Sequence, residues 1–395
     1  MRLFFWLMAA LPAWAGQPLQ PLIDATPAGG TLRLTAGAYS GPAVVDKPMT
    51  LDGSRAVLDG GGRGTVLTVR ANGATVRGLR VVRSGDSHDQ ISAGIQIEGD
   101  DNLVEGNTIE DVLFGIHVRQ GNRNRIAGNR VSGRNVPPAQ RGDGIRLWNS
   151  RHNRVENNEF FRVRDLTLAN SPDNRIAGNR LRDGRYGMQF VFSPRAVVEN
   201  NDLAHTGTGI VVLYSPELKV RGNRIAHALD GGGGGITFKN SGDALIEDNE
   251  ILHCSVGLQA DAPLNDEAVL TVRGNRFAHN IVGLYFYGES GGHRFENNRF
   301  ESNLSQVIVS AAGAGEANHW RNNFWSDYQG FDRNGDGTGD TPHEVWLYAD
   351  RIWMETPKAT FFRNSPAMEL LDFLERLAPF SSPALILRDP APRMR

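Results

Sequence analysis

Apolar and polar residues alternate along most of the chain, in short segments separated by Gly and Asn. The commonest segment reads apolar-polar-(Gly/Asn/Asp)-Asn-polar-apolar, and its shared Asn falls at positions 107, 129, 158, 179, 201, 223, 249, 275, 298 and 323. These ten residues span 216 positions in nine intervals, so one repeat is 24 residues long on average. A period of two is the pattern of a β-strand, and we find no helical period of 3.6 in these copies.

A second recurring segment lies between successive copies of the first. It usually begins with Gly and then alternates, as in GIQIEG at 94–99, GIHVRQ at 115–120 and GITFKN at 235–240. Each repeat thus holds two or three short strands, which cannot bury an apolar face without a neighbour. We therefore predict an all-β chain, a parallel β-helix built as a solenoid of roughly 22–26-residue coils. The shared Asn would form a ladder along the axis, because stacked amides hydrogen-bond to one another.

The boundaries of this array predict the domain organisation. The coils occupy residues 16–325, with opening coils between Gly29 and Val82, where Leu79 takes the position of the shared Asn. Insertions at 84–91 and 132–143 should project as loops from one edge. Residues 1–15 combine Arg2, the apolar run Leu3–Leu11 and an Ala-Trp-Ala sequence, which predicts a secretory signal peptide and export to the periplasm.

Charge and cysteine content exclude two classes of function. Lys plus Arg number 42 and Asp plus Glu number 44, so no basic excess exists to bind nucleic acid. Cys254 is the single cysteine, which excludes an intrachain disulfide and a Cys-rich zinc site.

An acidic segment at 326–345 follows the coils and has the spacing of a calcium loop. Hard oxygen ligands fall at loop positions 1, 3, 5, 7 and 9, which are Asp332, Asn334, Asp336, Thr338 and Asp340. Gly337 occupies position 6, where the turn is sharp, but position 12 is His343 instead of Glu. The spacing predicts a structural Ca²⁺ or similar cation, and the alternative is an Asp/Gly-rich surface turn without an ion.

The C-terminal tail, residues 346–395, contains one predicted helix. Ser365 and Pro366 form a helix start, and Met368, Leu371, Phe373, Leu374 and Leu377 give it an apolar side. This helix either covers the open end of the β-helix or docks on a membrane or a partner protein.

Together, the coils and their two flanking segments resemble the NosD family of periplasmic β-helix proteins. The similarity covers roughly Gly29 to Glu344 and includes AGAYSGPAVVDKPMTLDG at 36–53 and NNFWSDYQGFDRNGDGTGD at 322–340. The resemblance implies an accessory protein, not an enzyme, in the maturation of nitrous oxide reductase, a copper enzyme of denitrification. The implied partners are the reductase, an ATPase and a membrane permease of an ABC-type complex, and a copper chaperone lipoprotein. Copper is the implied cargo, sulfur is left open as a second one, and the tail helix is expected to contact the permease at the inner membrane.

Histidines at one repeated position are the candidate copper ligands. Four residues after the shared Asn, four successive coils carry His205, His227, His253 and His279. Stacking would align these imidazoles in a column, and imidazole suits copper. Cys254, His88, His117 and Met354 are further candidate ligands. The alternative is a structural turn position, because His, Asp and Ser all cap backbone groups.

The rival function is a polysaccharide-binding or polysaccharide-modifying β-helix. Glycoside hydrolysis requires two carboxyl groups about 5–10 Å apart. On the outward positions of the Gly-initiated strands we find only Glu98 and Asp261, seven coils or about 34 Å apart. A lyase using Arg119 and Arg146 stays open. So does a sugar-binding rod, in which the aromatic side chains would be those of Trp148, Tyr214, Tyr285 and Tyr287.

Overall fold

Strands stack in coils over almost the whole described chain. The computed structural model describes residues 16–230, 233–261, 268–288, 291–310, 315, 317–347, 365–377 and 384–394. The predicted signal peptide at 1–15 lies outside these residues. Each coil contributes, in chain order, a strand to a first, a second and a third face, and neighbouring coils pair in parallel. The predicted parallel β-helix is therefore confirmed, with thirteen strands on its first face.

The first face is one parallel sheet of short strands. Its strands are Thr31–Arg33, Thr50–Asp52, Thr75–Arg77, Leu103–Glu105, Arg125–Ala127, Arg154–Glu156, Arg175–Ala177, Val197–Glu199, Lys219–Arg221, Leu245–Glu247, Thr271–Arg273, Arg294–Glu296 and His319–Arg321. The central residue points inward in each strand and is buried in all but the first, where Leu32 is partly buried, while its neighbours are more exposed or form ion pairs.

The second and third faces belong to one sheet, because two twelve-residue strands, Arg180–Val191 and Asp202–Leu213, run through both. The other second-face strands are Ala38–Ser40, Val57–Asp59, Arg80–Val82, Thr108–Val112, Arg130–Gly133, Glu159–Phe161, Arg224–Ala226, Glu250–Leu252, Arg276–Ala278, Arg299–Glu301 and Phe324–Trp325. The other third-face strands are Ala43–Val45, Leu67–Val69, Ala93–Ile97, Phe114–Arg119, Ile145–Trp148, Leu166–Ala169, Ile236–Lys239, Val256–Asp261, Val282–Tyr287 and Ser305–Val309.

Few elements lie outside the coils. A short strand, Gln17–Pro18, pairs with Ala38–Ser40 and is followed by helix α1, Gln20–Ala25, which the repeat pattern did not predict. A 3₁₀ turn, Pro138–Gln140, lies in the second predicted insertion. At the other end, His343–Leu347 and Ala384–Asp389 form an antiparallel pair, and helix α2 spans Pro366–Leu377 between them.

Left-handed backbone explains the composition of the turn between the second and third faces. One residue there has φ between 51° and 61° in most coils, and the set includes Arg83, Asp111, Arg162, Asp183, His205, His227, His253, His279 and Ser302. Asp, Asn and His adopt this conformation more readily than bulky or β-branched residues do. Both insertions, 84–91 and 132–143, also enter at this turn, so they project from one edge as predicted.

The shared Asn forms a continuous buried ladder in the turn between the first and second faces. At Asn201, for example, the backbone N–H and the side-chain amide both donate to Oδ1 of Asn223, at 3.0 and 2.9 Å. The same pattern runs from Asn107 to Asn323. At the N-terminal end, the N–H of Leu79 donates to Asn107. The ladder therefore satisfies polar groups that each coil buries.

We expect Asn223→Ala to lower the free energy of unfolding by about 1–3 kcal/mol, because two donors of Asn201 lose their acceptor in a buried site. Asn201→Ala should have a similar effect. Urea denaturation followed by far-UV circular dichroism measures both values. Lys219→Ala, at an exposed position of the first face, is the control and should change stability by less than about 0.5 kcal/mol. If all three variants were equally stable, the side-chain amides of the Asn ladder would not contribute to the stability of the fold.

A strand from the tail covers the last coil. Ile386 and Leu387 of Ala384–Asp389 are buried within the main hydrophobic core. Asp389 is fully buried, and its Oδ2 accepts hydrogen bonds from the backbone and side-chain amides of Asn323 and from Nε1 of Trp325, at 3.0–3.1 Å. The Asn ladder thus ends on a carboxylate, and a strand covers this end of the coils.

Candidate functional site

The four repeated histidines form one column, which we call the histidine ladder: His205, His227, His253 and His279. Ring centroids of neighbours are 4.9, 5.2 and 5.1 Å apart, and the ring planes are within 6–11° of parallel. Each residue has the left-handed backbone of its turn, with φ of 53–57°. The fold therefore brings the four predicted residues together at a corner of the coil.

The imidazoles of the histidine ladder face solvent. Strand alternation would point them inward, but the left-handed backbone turns them outward, so three are exposed and His227 is half-buried. In the described part of the chain, none of their ring nitrogens makes a hydrogen bond. Partial burial and the neighbouring His205 and His253 hold the pKa of His227 below its usual value, with a further contribution from Arg224. A lowered pKa favours the neutral ring, which is the form that binds metals.

The other candidate ligands do not join this column. Cys254 points into the core, its thiol contacts the carbonyl of Leu252, and burial raises its pKa to about 11. His117 is buried on the third face, where burial, Arg146 and Arg119 lower its pKa to about 4. His88 is exposed in the first insertion beside Phe114. Met354 lies outside the described residues.

The predicted calcium loop closes on its own backbone amides. Asp332 accepts from the N–H groups of Gly335 and Gly337, at 2.7 and 2.9 Å. Asp336 accepts from the N–H of Thr338 at 2.7 Å, and Asp340 accepts from that of Arg333 at 2.8 Å. These contacts arrange carboxylates around a tight exposed turn, and such oxygen donors fit a hard cation.

Position 12 of this loop does not supply a ligand. His343 is buried, stacks on Trp325 with ring centroids 4.8 Å apart, and places Nε2 3.8 Å from Asp327. The N–H of Thr338, with the amide of Asn334, holds the pKa of Asp336 below its usual range, so this carboxylate stays ionised. Among the residues that the structure describes, no group of three or more His, Cys, Asp or Glu side chains has the arrangement of a formed metal site. Calcium binding stays a prediction.

We expect Ca²⁺ to raise the melting temperature of the mature protein, because a ligand that binds only the folded state stabilises it. A variant with Asp332→Ala and Asp336→Ala should lose that increase, measured from its own melting temperature without calcium. Asp46→Ala, an exposed carboxylate in an early coil, is the matched control and should keep the response. An unchanged response in the double variant would exclude this loop as the site.

The outward rows of the third face lie as the repeat predicted. The register aligns Gln96, His117, Arg146, Thr167, Gln189, Val211, Thr237, Gln259 and Tyr285 in one row. Glu98 pairs with Arg70 at 3.0 Å, and Asp261 lies 3.5 Å from Lys239. Glu98 and Asp261 are seven coils apart. These two outward carboxylates are too far apart to act as a pair.

Sequence reasoning does not single out two further carboxylates: Asp143 directly precedes a Gly-initiated segment, and Asp165 takes the place of the Gly in the next one. Both are fully buried in successive coils. Arg164 lies 2.8 Å from Asp143, which also pairs with Arg146, while Asp165 pairs with Arg185 and accepts from the N–H of Tyr186. Burial raises the pKa of Asp143 against the opposing effect of Arg164. The arrangement is a buried ion-pair network that links the second insertion to the coils.

Helix α2 leaves an apolar surface uncovered. Four of its apolar side chains are 44–67% exposed, namely Leu370, Phe373, Leu374 and Leu377. The side chains of Met368 and Leu371 lie outside the described set. No helix in the described ranges has the length and apolar character needed to cross a membrane.

Comparison with known proteins identifies relatives along the whole chain. The family model of NosD, a periplasmic copper-binding protein, matches residues 127–330. A Pseudomonas aeruginosa protein named as a probable ABC transporter binding protein NosD is 30% identical over 98% of this chain and 94% of its own length. A Stutzerimonas stutzeri protein of the same name is 27% identical, over 88% of this chain and 83% of its own length.

Solved structures share the fold at low identity. A thermostable GH87 α-1,3-glucanase from Streptomyces thermodiastaticus superposes with a TM-score of 0.56 at 14% identity, over 78% of this chain and 67% of that one. The catalytic domain of a GH87 α-1,3-glucanase bound to nigerose gives 0.53 at 14% identity, over 72% of this chain and 64% of that one, just under two thirds. At this identity the likeness shows a common β-helix and carries no information on activity.

Proposed function

The chain belongs to the NosD family of periplasmic copper-binding proteins, and we propose that it is an accessory protein of an ABC-type complex that delivers copper for the assembly of nitrous oxide reductase. The observation that carries this proposal is the match over 98% of the chain to a relative named as an ABC transporter binding protein. Copper is cargo in this proposal, received from a copper chaperone lipoprotein and passed to the reductase. Sulfur as a second cargo is left open.

We assign a separate role to each of the three segments of the mature chain. The β-helix over 16–325 would carry the cargo-handling surface, the loop over 326–345 would hold a structural cation, and the tail over 346–395 would bind the complex. Strand Ala384–Asp389 already covers the open end of the coils, so α2 is not needed there. Its exposed Leu370, Phe373, Leu374 and Leu377 are suited to an apolar groove of a membrane permease. Membrane association would then depend on that partner.

An accessory role fits the chemistry of the third face better than catalysis on sugars does. The two outward carboxylates are seven coils apart, and Asp143 and Asp165 are buried in ion pairs with arginines. A buried, fully paired carboxylate cannot reach a glycosidic bond in an open groove. In this proposal ATP hydrolysis takes place on a partner subunit, and this chain turns over no substrate.

Co-purification tests the proposed complex. The tagged mature protein would be produced together with the permease and ATPase encoded in the same host, and membranes would be solubilised in mild detergent. We expect permease and ATPase to elute with the tagged protein in constant ratio. Recovery of the tagged protein alone, from membranes that contain both partners, would contradict a stable ABC-type complex.

A further inference from the structure

We propose that neighbouring imidazoles of the histidine ladder form two-nitrogen binding sites for copper(I), so that the four residues provide three overlapping sites. This inference rests on the proposed function, which makes copper the cargo, and it assigns the cargo to named side chains. The sites would lie along one corner of the β-helix, at the turn between the second and third faces.

The spacing of the ladder suits a pair of nitrogen donors. Adjacent ring centroids are 4.9–5.2 Å apart. An ion held between two imidazoles at about 2 Å from each requires nitrogens about 4 Å apart. In the stacked arrangement the lone pairs lie in parallel planes and do not converge. Rotation about χ2, a broad torsion in His, turns two adjacent nitrogens toward the gap without moving the backbone.

The ring nitrogens are available for this rotation. In the described structure none of them donates or accepts a hydrogen bond, and three of the four residues are exposed. Resident metal sites differ, because a ligating His there usually donates its second nitrogen to a carboxylate or carbonyl that fixes the ring. A site without such support holds its ion loosely, as a carrier that must release cargo requires. Imidazole is a suitable ligand for copper, as it is for zinc, iron and nickel.

The backbone does not demand His at this position. Equivalent left-handed residues in other coils are Asp111, Arg162, Asp183 and Ser302. Four consecutive His residues therefore exceed what the turn geometry needs. Overlapping sites would also allow an ion to move from one coil to the next, since each inner residue belongs to two pairs.

The proposal is tested with two double variants that differ in whether the two remaining histidines are neighbours. A variant with His205→Asn and His279→Asn keeps the neighbouring pair His227 and His253. A variant with His205→Asn and His253→Asn loses the same number of imidazoles, but leaves His227 and His279 two coils or about 10 Å apart. Asn is chosen because it accepts left-handed backbone. Both variants should therefore keep the fold, which circular dichroism and melting temperature verify.

Copper(I) is titrated anaerobically into the mature protein in competition with bicinchoninate. We expect up to two ions on the unmodified ladder, one on the variant that keeps a neighbouring pair, and none on the variant that keeps separated residues. In a separate titration with copper(II), electron paramagnetic resonance should show coupling to two imidazole nitrogens only where a neighbouring pair remains. Equal copper binding by the two double variants would overturn the proposal, and would leave the ladder as a structural stack.

Failure of this inference can be told from failure of the proposed function. If the two double variants bind copper equally but the reductase still depends on this chain for its copper, the ladder assignment is wrong and the function stands. If the ladder binds copper as expected but the reductase acquires its copper without this chain, the proposed function is wrong.

Discussion

Asp389→Ala is expected to destabilise the protein by at least about 3 kcal/mol. Oδ2 of this buried carboxylate accepts three hydrogen bonds, two from Asn323 and one from Trp325. Each buried donor left without an acceptor costs about 1–3 kcal/mol. The lost hydrogen bonds lie in the last coil. There Trp325 also stacks on Phe300 and on His343, with ring centroids 4.3 and 4.8 Å apart. Urea denaturation measures the change, and limited proteolysis should show that cleavage begins at the C-terminal coils.

Asp389→Asn is the matched control, because its side-chain oxygen can still accept from Asn323 and Trp325. We expect it to lose clearly less stability than the Ala variant. The C-terminal strand is not the cap of the Asn ladder if Asp389→Ala unfolds at the same urea concentration as the unmodified protein. It is also not the cap if proteolysis of that variant begins at the N-terminal coils.

Phe373→Asp with Leu374→Asp is expected to abolish recovery of the permease with the tagged protein. Burying a side chain of this size contributes about 1.5–3 kcal/mol. Two such losses correspond to at least a hundredfold weaker binding. Both side chains are already exposed, at 57% and 44%, so the free protein should keep its melting temperature.

The control for this experiment changes exposed apolar residues elsewhere. Ile281→Asp with Leu304→Asp alters side chains that are 52% and 59% exposed on the coils, and we expect the permease to be retained. Retention of the permease by the helix variant would exclude α2 as the docking element. A lower melting temperature of the helix variant would instead indicate that α2 packs on the coils.

The repeat made the coils predictable from the sequence, because the shared Asn marks the strand register in ten of them. The alignment of His205 with His279 followed from the same count. Their outward direction did not follow, since strand alternation pointed inward and only the left-handed backbone at φ of 53–57° reverses it. The same reversal separates His253 from Cys254, which packs in the core.

The repeat pattern does not predict contacts between residues that are far apart in the sequence. Asp389 lies 66 residues after Asn323, in a tail without any repeat, so nothing local marks it as the end of the ladder. The pairs of Asp143 with Arg164 and of Asp165 with Arg185 likewise form only when coils stack. The acidic loop was visible in its spacing, but the inward packing of His343 against Trp325 depends on the tertiary fold.

The proposed delivery of copper is tested by the copper content of nitrous oxide reductase, measured by mass spectrometry on enzyme purified from cells. Cells with an in-frame deletion of this chain would be compared with the same cells carrying it on a plasmid. We expect reductase from the deletion strain to be exported and folded but to lack the copper of its catalytic centre, and we expect the plasmid to restore that copper. Full copper occupancy of the reductase in the deletion strain would show that this chain is not required for copper delivery.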